Sequence, residues 1–236
     1  MKRTLFASLF GTVAAIALTV GSASAFDNVQ AALALHVAPA AGNCTVPGLR
    51  SATLHQQTNT LSVPGSGPFY YVYLLACNAS DSTKVGGFEC GIQYPGTYNP
   101  SGDAAGPITV FSWTKCSTFD FQSTGWPAPG GGNVMTWPLA LCPSTRSEAG
   151  VKYSVIAIGG YFYLGAYAPA QMFVTARPVT GQAGVADCQS RVDFQDGKIP
   201  THLGSAGFGL PGFNPCGAPT PVQNTTWGTI KGLYSN

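Results

Sequence analysis

No stretch between residues 26 and 200 repeats its apolar side chains at the three- and four-residue spacing of a capped helix. Short runs alternate instead with a period of two and stop at clusters of Gly, Pro, Asn and Ser, which is the pattern of β-strands. Phe69–Cys77 is almost continuously apolar, as suits a buried central strand. In Phe88–Tyr94, Phe88, Cys90, Ile92 and Tyr94 share one face, and Glu89, Gly91 and Gln93 the other, so a half-buried strand is predicted. Ala31–Val37, Thr60–Val63, Ile108–Cys116, Val134–Leu139, Val151–Ile158, Tyr161–Tyr167 and Met172–Pro178 bring the count to about nine strands. Gly159-Gly160 reads as a hairpin turn, because paired glycines reach the positive φ of a type I′ turn. Many short strands with frequent turns predict an all-β domain over 26–190, a two-layer antiparallel β-sandwich of jelly-roll or Ig-like type.

Past Cys188 the alternation fades. Nine of the nineteen positions from 204 to 222 are Gly or Pro, so 191–223 is expected to be an irregular loop or linker tail. Residues 224–236 then place Trp227, Ile230 and Tyr234 at helical spacing behind threonines, which predicts a short C-terminal docking segment.

The first 25 residues read as a signal peptide. Lys2 and Arg3 precede an apolar stretch from Leu5 to Val20, and Ala23-Ser24-Ala25 supplies the small-x-small exit, making Phe26 the expected mature start. No later run is apolar for long enough to span a bilayer. The protein is therefore expected to be secreted, extracellular or at the cell surface, with the periplasm as the other destination. All seven Cys lie in the exported part, where disulfides persist. Sequence proximity pairs Cys116 with Cys142 and Cys188 with Cys216, each closing a surface loop, and Cys77 with Cys90 across neighbouring strands. Cys44 is then the odd thiol. The cysteines lack the Cys-x-x-Cys spacing of a zinc site, and the three His lie apart in sequence. Charged residues make up 8% of the chain, with 11 Lys+Arg against 9 Asp+Glu and no basic run. A nucleic-acid partner is thereby excluded, since phosphate neutralisation needs clustered cations.

The run Val85-Gly-Gly-Phe-Glu-Cys-Gly-Ile-Gln-Tyr-Pro95, following the strand at Tyr71–Ala76, resembles the cohesin-type sandwich and related carbohydrate-binding modules. Those share a Gly-x-x-Phe-x-(Ile/Leu)-x-Tyr run leading to an Asp-Pro turn; here Pro95 follows Tyr94 directly. The resemblance implies an extracellular sandwich whose role is binding or attachment.

Motifs of catalysis are sparse. The sequence has no Gly-x-Ser-x-Gly, Walker loop or His-Glu-x-x-His. Paired carboxylates would serve a glycosidase, but Glu89 is expected on the polar face of its strand, Glu148 in a turn, and Asp120 at a solvent-facing strand position. A Ser, His and Asp brought together by folding is the remaining route to a hydrolase. Calcium could take oxygens from Asn99, Asp103, Asp193 and Asp196, but an EF-hand's ligand periodicity is missing. Surface loops without metal or cofactor are expected there.

Aromatic residues carry the functional reading. Trp126 sits in a Gly/Pro-rich loop, while Trp113 and Trp137 lie on the strands flanking it. Exposed indoles stack on sugars or anchor protein partners, so all three are candidate ligand contacts. Trp113 and Trp137 equally have positions suited to the core, and Trp126 is open between core and surface. The sequence thus leads to a secreted, non-enzymatic sandwich that binds an extracellular protein or glycan. The alternatives are a structural subunit that self-assembles through low-charge sheet edges, and a secreted hydrolase.

Overall fold

The computed structural model describes residues 28–123, 125–189, 192–194 (backbone) and 202–217. The expected signal peptide and the docking residues Trp227, Ile230 and Tyr234 lie outside them.

Two sheets face each other across one core. The first contains β1 (Ala32–Ala38), β3 (Tyr70–Ser80), β9 (Tyr153–Ala166), β6 (Ile108–Lys115) and β5 (Gly96–Tyr98), in that order. The second runs through β12 (Val192–Phe194), β11 (Gly184–Ala186), β4 (Gly87–Gln93), β10 (Ala170–Thr175), β13 (Ser205–Phe208) and β2 (Gln57–Thr58). On the other flank of β4 lie β8 (Gly132–Thr136) and then β7 (Phe119–Gln122). Pairing is antiparallel except for β5 with β6 and β13 with β2. The sandwich is therefore mixed rather than wholly antiparallel. It is all-β, and the sheets do not close into a barrel.

The alternation in β4 acts as the sequence predicts. Phe88, Cys90 and Ile92 point into the core with Tyr94, where they meet Leu33, Leu74, Met135 and Phe162. β3 lies between β1 and β9 and is buried along most of its length.

Gly159-Gly160 is not a turn. Both residues lie inside β9, a single strand of 14 residues, where a register shift occurs against β3. A Cβ at Gly159 would stand 2.4 Å from Phe88 and 2.6 Å from the Met135 sulfur, and one at Gly160 would stand 2.5 Å from Trp113. Gly159 lets the opposing sheet approach and Gly160 makes room for Trp113 of the neighbouring β6, which is the other meaning of glycine inside a strand. No strand forms at Thr60–Val63; the short β2 precedes it. Part of the expected linker also belongs to the sandwich, since β13 pairs with β10 and β2.

The disulfides correct all three expected pairings. They are Cys44–Cys116, Cys77–Cys216 and Cys142–Cys188, and the free cysteine is Cys90. Cys77 cannot meet Cys90. The first faces outward from the first sheet into a small cluster with Tyr73, Leu75 and Ile156, and the second faces inward from the other sheet. Burial, followed by the nearby Glu89 charge, pushes the Cys90 thiol well above its ordinary range. Buried without charge, Cys90 behaves as a small core hydrophobe.

The half-buried His36 imidazole is expected to contribute to acid sensitivity of the fold. His36 Nδ1 accepts the backbone N–H of His55 at 2.8 Å, so its ring is held neutral with the proton on Nε2. Burial, and secondarily the neighbouring His55, lowers its pKa from 6.5 to about 4. The unfolded chain therefore binds this proton first, and the stability contributed by neutral His36 is complete above pH 6.5 and lost as the pH falls through about 4. The melting temperature should drop across that window, and His36→Gln should remove that part of the drop. Equal slopes in the two proteins would show that another group is responsible.

Candidate functional site

The surviving candidate site lies on the outer face of the second sheet. β8, β4 and β11 run side by side there, and paired residues share a face: Thr136, Gly87 and Ala186 in one row, Val134, Glu89 and Gly184 in the next. Small residues at Gly87, Gly184 and Ala186 leave the middle of this face bare. Gly87 cannot carry a side chain without cost, because its Cβ would lie 2.8 Å from the Met135 carbonyl oxygen. The result is a cleft of about 520 Å³. Trp137, Pro138 and Leu139 form one wall, and Asp187 with Cys188 forms another.

Leu139 begins a short 3-10 turn after Pro138 and is 74% exposed. Trp137 is half-buried; its backbone N–H donates to Gly86 at 2.9 Å and its ring packs 6.0 Å from Phe88. It also borders a second groove of about 300 Å³ with Val46, Leu49 and Ile156, so it separates two apolar depressions.

The carboxylates near the cleft have structural partners. Glu89 Oε2 accepts from Thr180 Oγ1 at 3.1 Å and lies 3.6 Å from the Arg177 guanidinium. Asp187 is buried, and its Oδ1 accepts the Gln189 N–H at 2.8 Å. Asp120 corrects its expected placement, for it does not face solvent. Its Oδ2 accepts Trp113 Nε1 at 2.9 Å and Gln122 Nε2 at 3.0 Å, while Phe119 and Phe121 on either side face outward. The usual polarity of a strand is inverted here because Trp113, half-buried against Phe162, needs an acceptor for its indole N–H.

Trp126 is core, not a displayed ligand contact. Its ring meets Trp113 edge-on at 5.0 Å and lies 5.5 Å from Phe162, and 6% of the residue is exposed. The loop achieves this burial by folding through successive turns: Trp126 N–H donates to Ser123, Ala128 to Gly125 and Gly131 to Ala128. Tyr94 Oη then ties the loop down by donating to the Pro127 carbonyl at 2.9 Å. Of the three indoles the sequence singles out, Trp137 is the one that lines the cleft.

In the first of the loops that carry the calcium candidates, Asn99 makes a local turn, donating to the Asp103 carbonyl at 3.0 Å and accepting from Ser101 N–H at 3.1 Å. The side chains of Asp193 and Asp196 lie outside the described residues. Among the described residues no group of three His, Cys, Asp or Glu is placed to hold a metal ion. Nor is any helix there long and apolar enough to cross a membrane.

No protein-family model matches the sequence, and no curated protein matches it. Among solved structures the chain is similar to a cohesin module. That module comes from a family 33 glycoside hydrolase of Clostridium perfringens, at 12% identity and a TM-score of 0.38, covering 75% of this chain and 95% of the module. The Val85–Pro95 run contains β4, the strand that runs along the floor of the cleft.

Proposed function

We propose that this protein is an exported, non-enzymatic β-sandwich that binds a protein partner at the cell exterior through the outer face of its second sheet. The observation that carries the reading is the open apolar cleft over β4, with a glycine floor and a leucine displayed on its rim. A pocket lined mainly by apolar groups with a few polar ones is the usual form of a binding site. The carboxylates support binding rather than catalysis, because Glu89 and Asp187 already have partners and Asp120 faces the other side of the sheet. Three disulfides support export into an oxidising compartment. A glycan stacked on Trp137 is the alternative occupant.

Leu139→Asp and Thr136→Arg test the site. Both positions lie at the surface, so the melting temperature should move little. Native protein should bind the uncharged apolar dye Nile red, and both variants should bind it about tenfold more weakly, since each places a charge in the cleft. A partner recovered from the source's secreted proteins should be lost by the same two variants. Retention by glycans on an array, lost in the variants, would replace the protein partner with a sugar. Undiminished dye binding by both variants would remove the cleft as the site.

A further inference from the structure

β7 has a strand partner on one side only among the described residues. Ser123 N–H donates to the Gly132 carbonyl at 2.8 Å, and this fixes the phase of the ladder. In an antiparallel pair, hydrogen-bonded and non-bonded positions alternate, so Phe119 and Phe121 bond to β8 while the N–H and C=O of Asp120 and Gln122 point away from it. The open edge therefore offers two donors and two acceptors.

Natural sheets blunt such edges with Lys, Pro, a bulge or a covering segment. The edge of β1 is covered in this way, by Gly204 bonding to Leu33 and by Val37 bonding to His55. Phe119-Asp120-Phe121-Gln122 carries neither Lys nor Pro, and its one inward-pointing charge, a further such device, is Asp120, which is held by Trp113 Nε1 and Gln122 Nε2. Its two phenylalanines are 51% and 57% exposed, with their rings stacked on one face.

We propose that β7 pairs with β7 of a second copy of this chain, antiparallel about a two-fold axis at Phe121. Charge selects the register. Centring the axis on Asp120 would set two carboxylates opposite each other, which is unfavourable. Centring it on Phe121 sets Asp120 opposite the neutral Gln122 of the second copy, so that no two carboxylates face each other. All the outward backbone groups of Asp120 and Gln122 are then satisfied across the interface. On the other face the four phenylalanine rings form one row.

The two phenylalanines contribute roughly 200 Å² of exposed surface per copy, well under the ~800 Å² per partner of a standard interface. The dimer should therefore be weak and should dissociate on dilution. This inference goes beyond the cleft reading, and it would set two clefts on one continuous sheet face where a bivalent partner could gain from both.

Sedimentation of the full mature chain over a hundredfold concentration range is the test. The wild type should shift reversibly from monomer to dimer. Phe121→Lys and Gln122→Pro should each weaken the dimer by at least about tenfold. Gln122→Pro removes an N–H that faces away from β8, so its melting temperature should stay near that of the wild type. Oxidised Phe121→Cys should form a covalent dimer and Phe119→Cys should not, because Phe119 lies opposite Ser123 in this register. A protein that stays monomeric throughout, a dimer indifferent to both edge variants, or equal cross-linking at positions 119 and 121 would overturn the proposal. Dye binding in the cleft is read on Gln122→Pro, whose side chain lies on the opposite face from the cleft, and should be unchanged, so loss of the dimer and loss of the cleft are separable.

Discussion

Trp126→Ala is expected to unfold with a loss of about 3–5 kcal/mol, the range for truncating a buried large aromatic. In a chain of this size each kcal/mol moves the melting temperature by roughly 2–4 °C, so a drop on the order of 10 °C should appear in thermal unfolding followed by circular dichroism. The size of the effect follows from the position of the indole. It plugs the sandwich at the end where the Ser123–Gly132 loop crosses, in edge contact with Trp113 and against Phe162. Removing it takes a ring contact from both neighbours and leaves a hole bounded by the loop's own backbone, which is braced by turns and cannot collapse easily. Trp126→Phe should recover much of the loss, since its indole Nε1 makes no hydrogen bond among the described residues. A change of under about 2 °C in the Ala variant would mean that the ring is exposed.

Where a strand's neighbours are themselves strands of simple alternation, the sequence was readable. β1, β4 and β6 appear within one residue of their expected bounds, and β3 runs three residues past its expected end, because burial on one or both faces leaves a direct trace in residue order. The misread elements share a cause, which is that their determinants come from distant parts of the chain. Gly159-Gly160 has the same composition whether it turns or admits Phe88 and Met135 from the opposite sheet. Gly204 and Gly207 likewise suggest a linker, yet they let β13 pack closely: a Cβ at Gly207 would fall 2.0 Å from the Leu210 carbonyl oxygen.

The site shows the same division. The glycines of Val85–Pro95 were visible as a motif, but β8 and β11, which turn them into a cleft floor, are brought in by pairing. Leu139 escaped notice because a lone exposed leucine is common and its meaning depends on what lies beside it. Composition left Trp126 open between core and surface, since a Gly/Pro-rich segment reads the same in either place. Such a segment can pack tightly when each bend is closed by a backbone hydrogen bond.

Removing the Cys77–Cys216 bridge should destabilise the protein more than removing either of the others. Chain entropy alone does not produce that order. For sequence separations of 139, 72 and 46 residues, the logarithmic dependence spreads the three contributions by only about 1 kcal/mol, around roughly 4–5 kcal/mol for the largest. Packing separates them more strongly. Cys77 and Cys216 are both fully buried beside Tyr73, Leu75 and Ile156, whereas Cys44 is exposed and Cys116, Cys142 and Cys188 are partly so. The buried bridge also fixes the end of the segment that supplies β13, with Asn78 Nδ2 donating to the Cys216 carbonyl at 3.4 Å. Losing the bridge therefore loosens a strand held between β10 and β2 as well as lengthening the free chain. A Cys77→Ala, Cys216→Ala double variant should lose about 4–5 kcal/mol in urea unfolding. Mild reduction of the native protein should open the two more exposed bridges first, because thiol attack needs access to sulfur. A double variant within 1 kcal/mol of the wild type, or a Cys77–Cys216 bridge reduced ahead of the other two, would show that β13 is held by its sheet pairing alone.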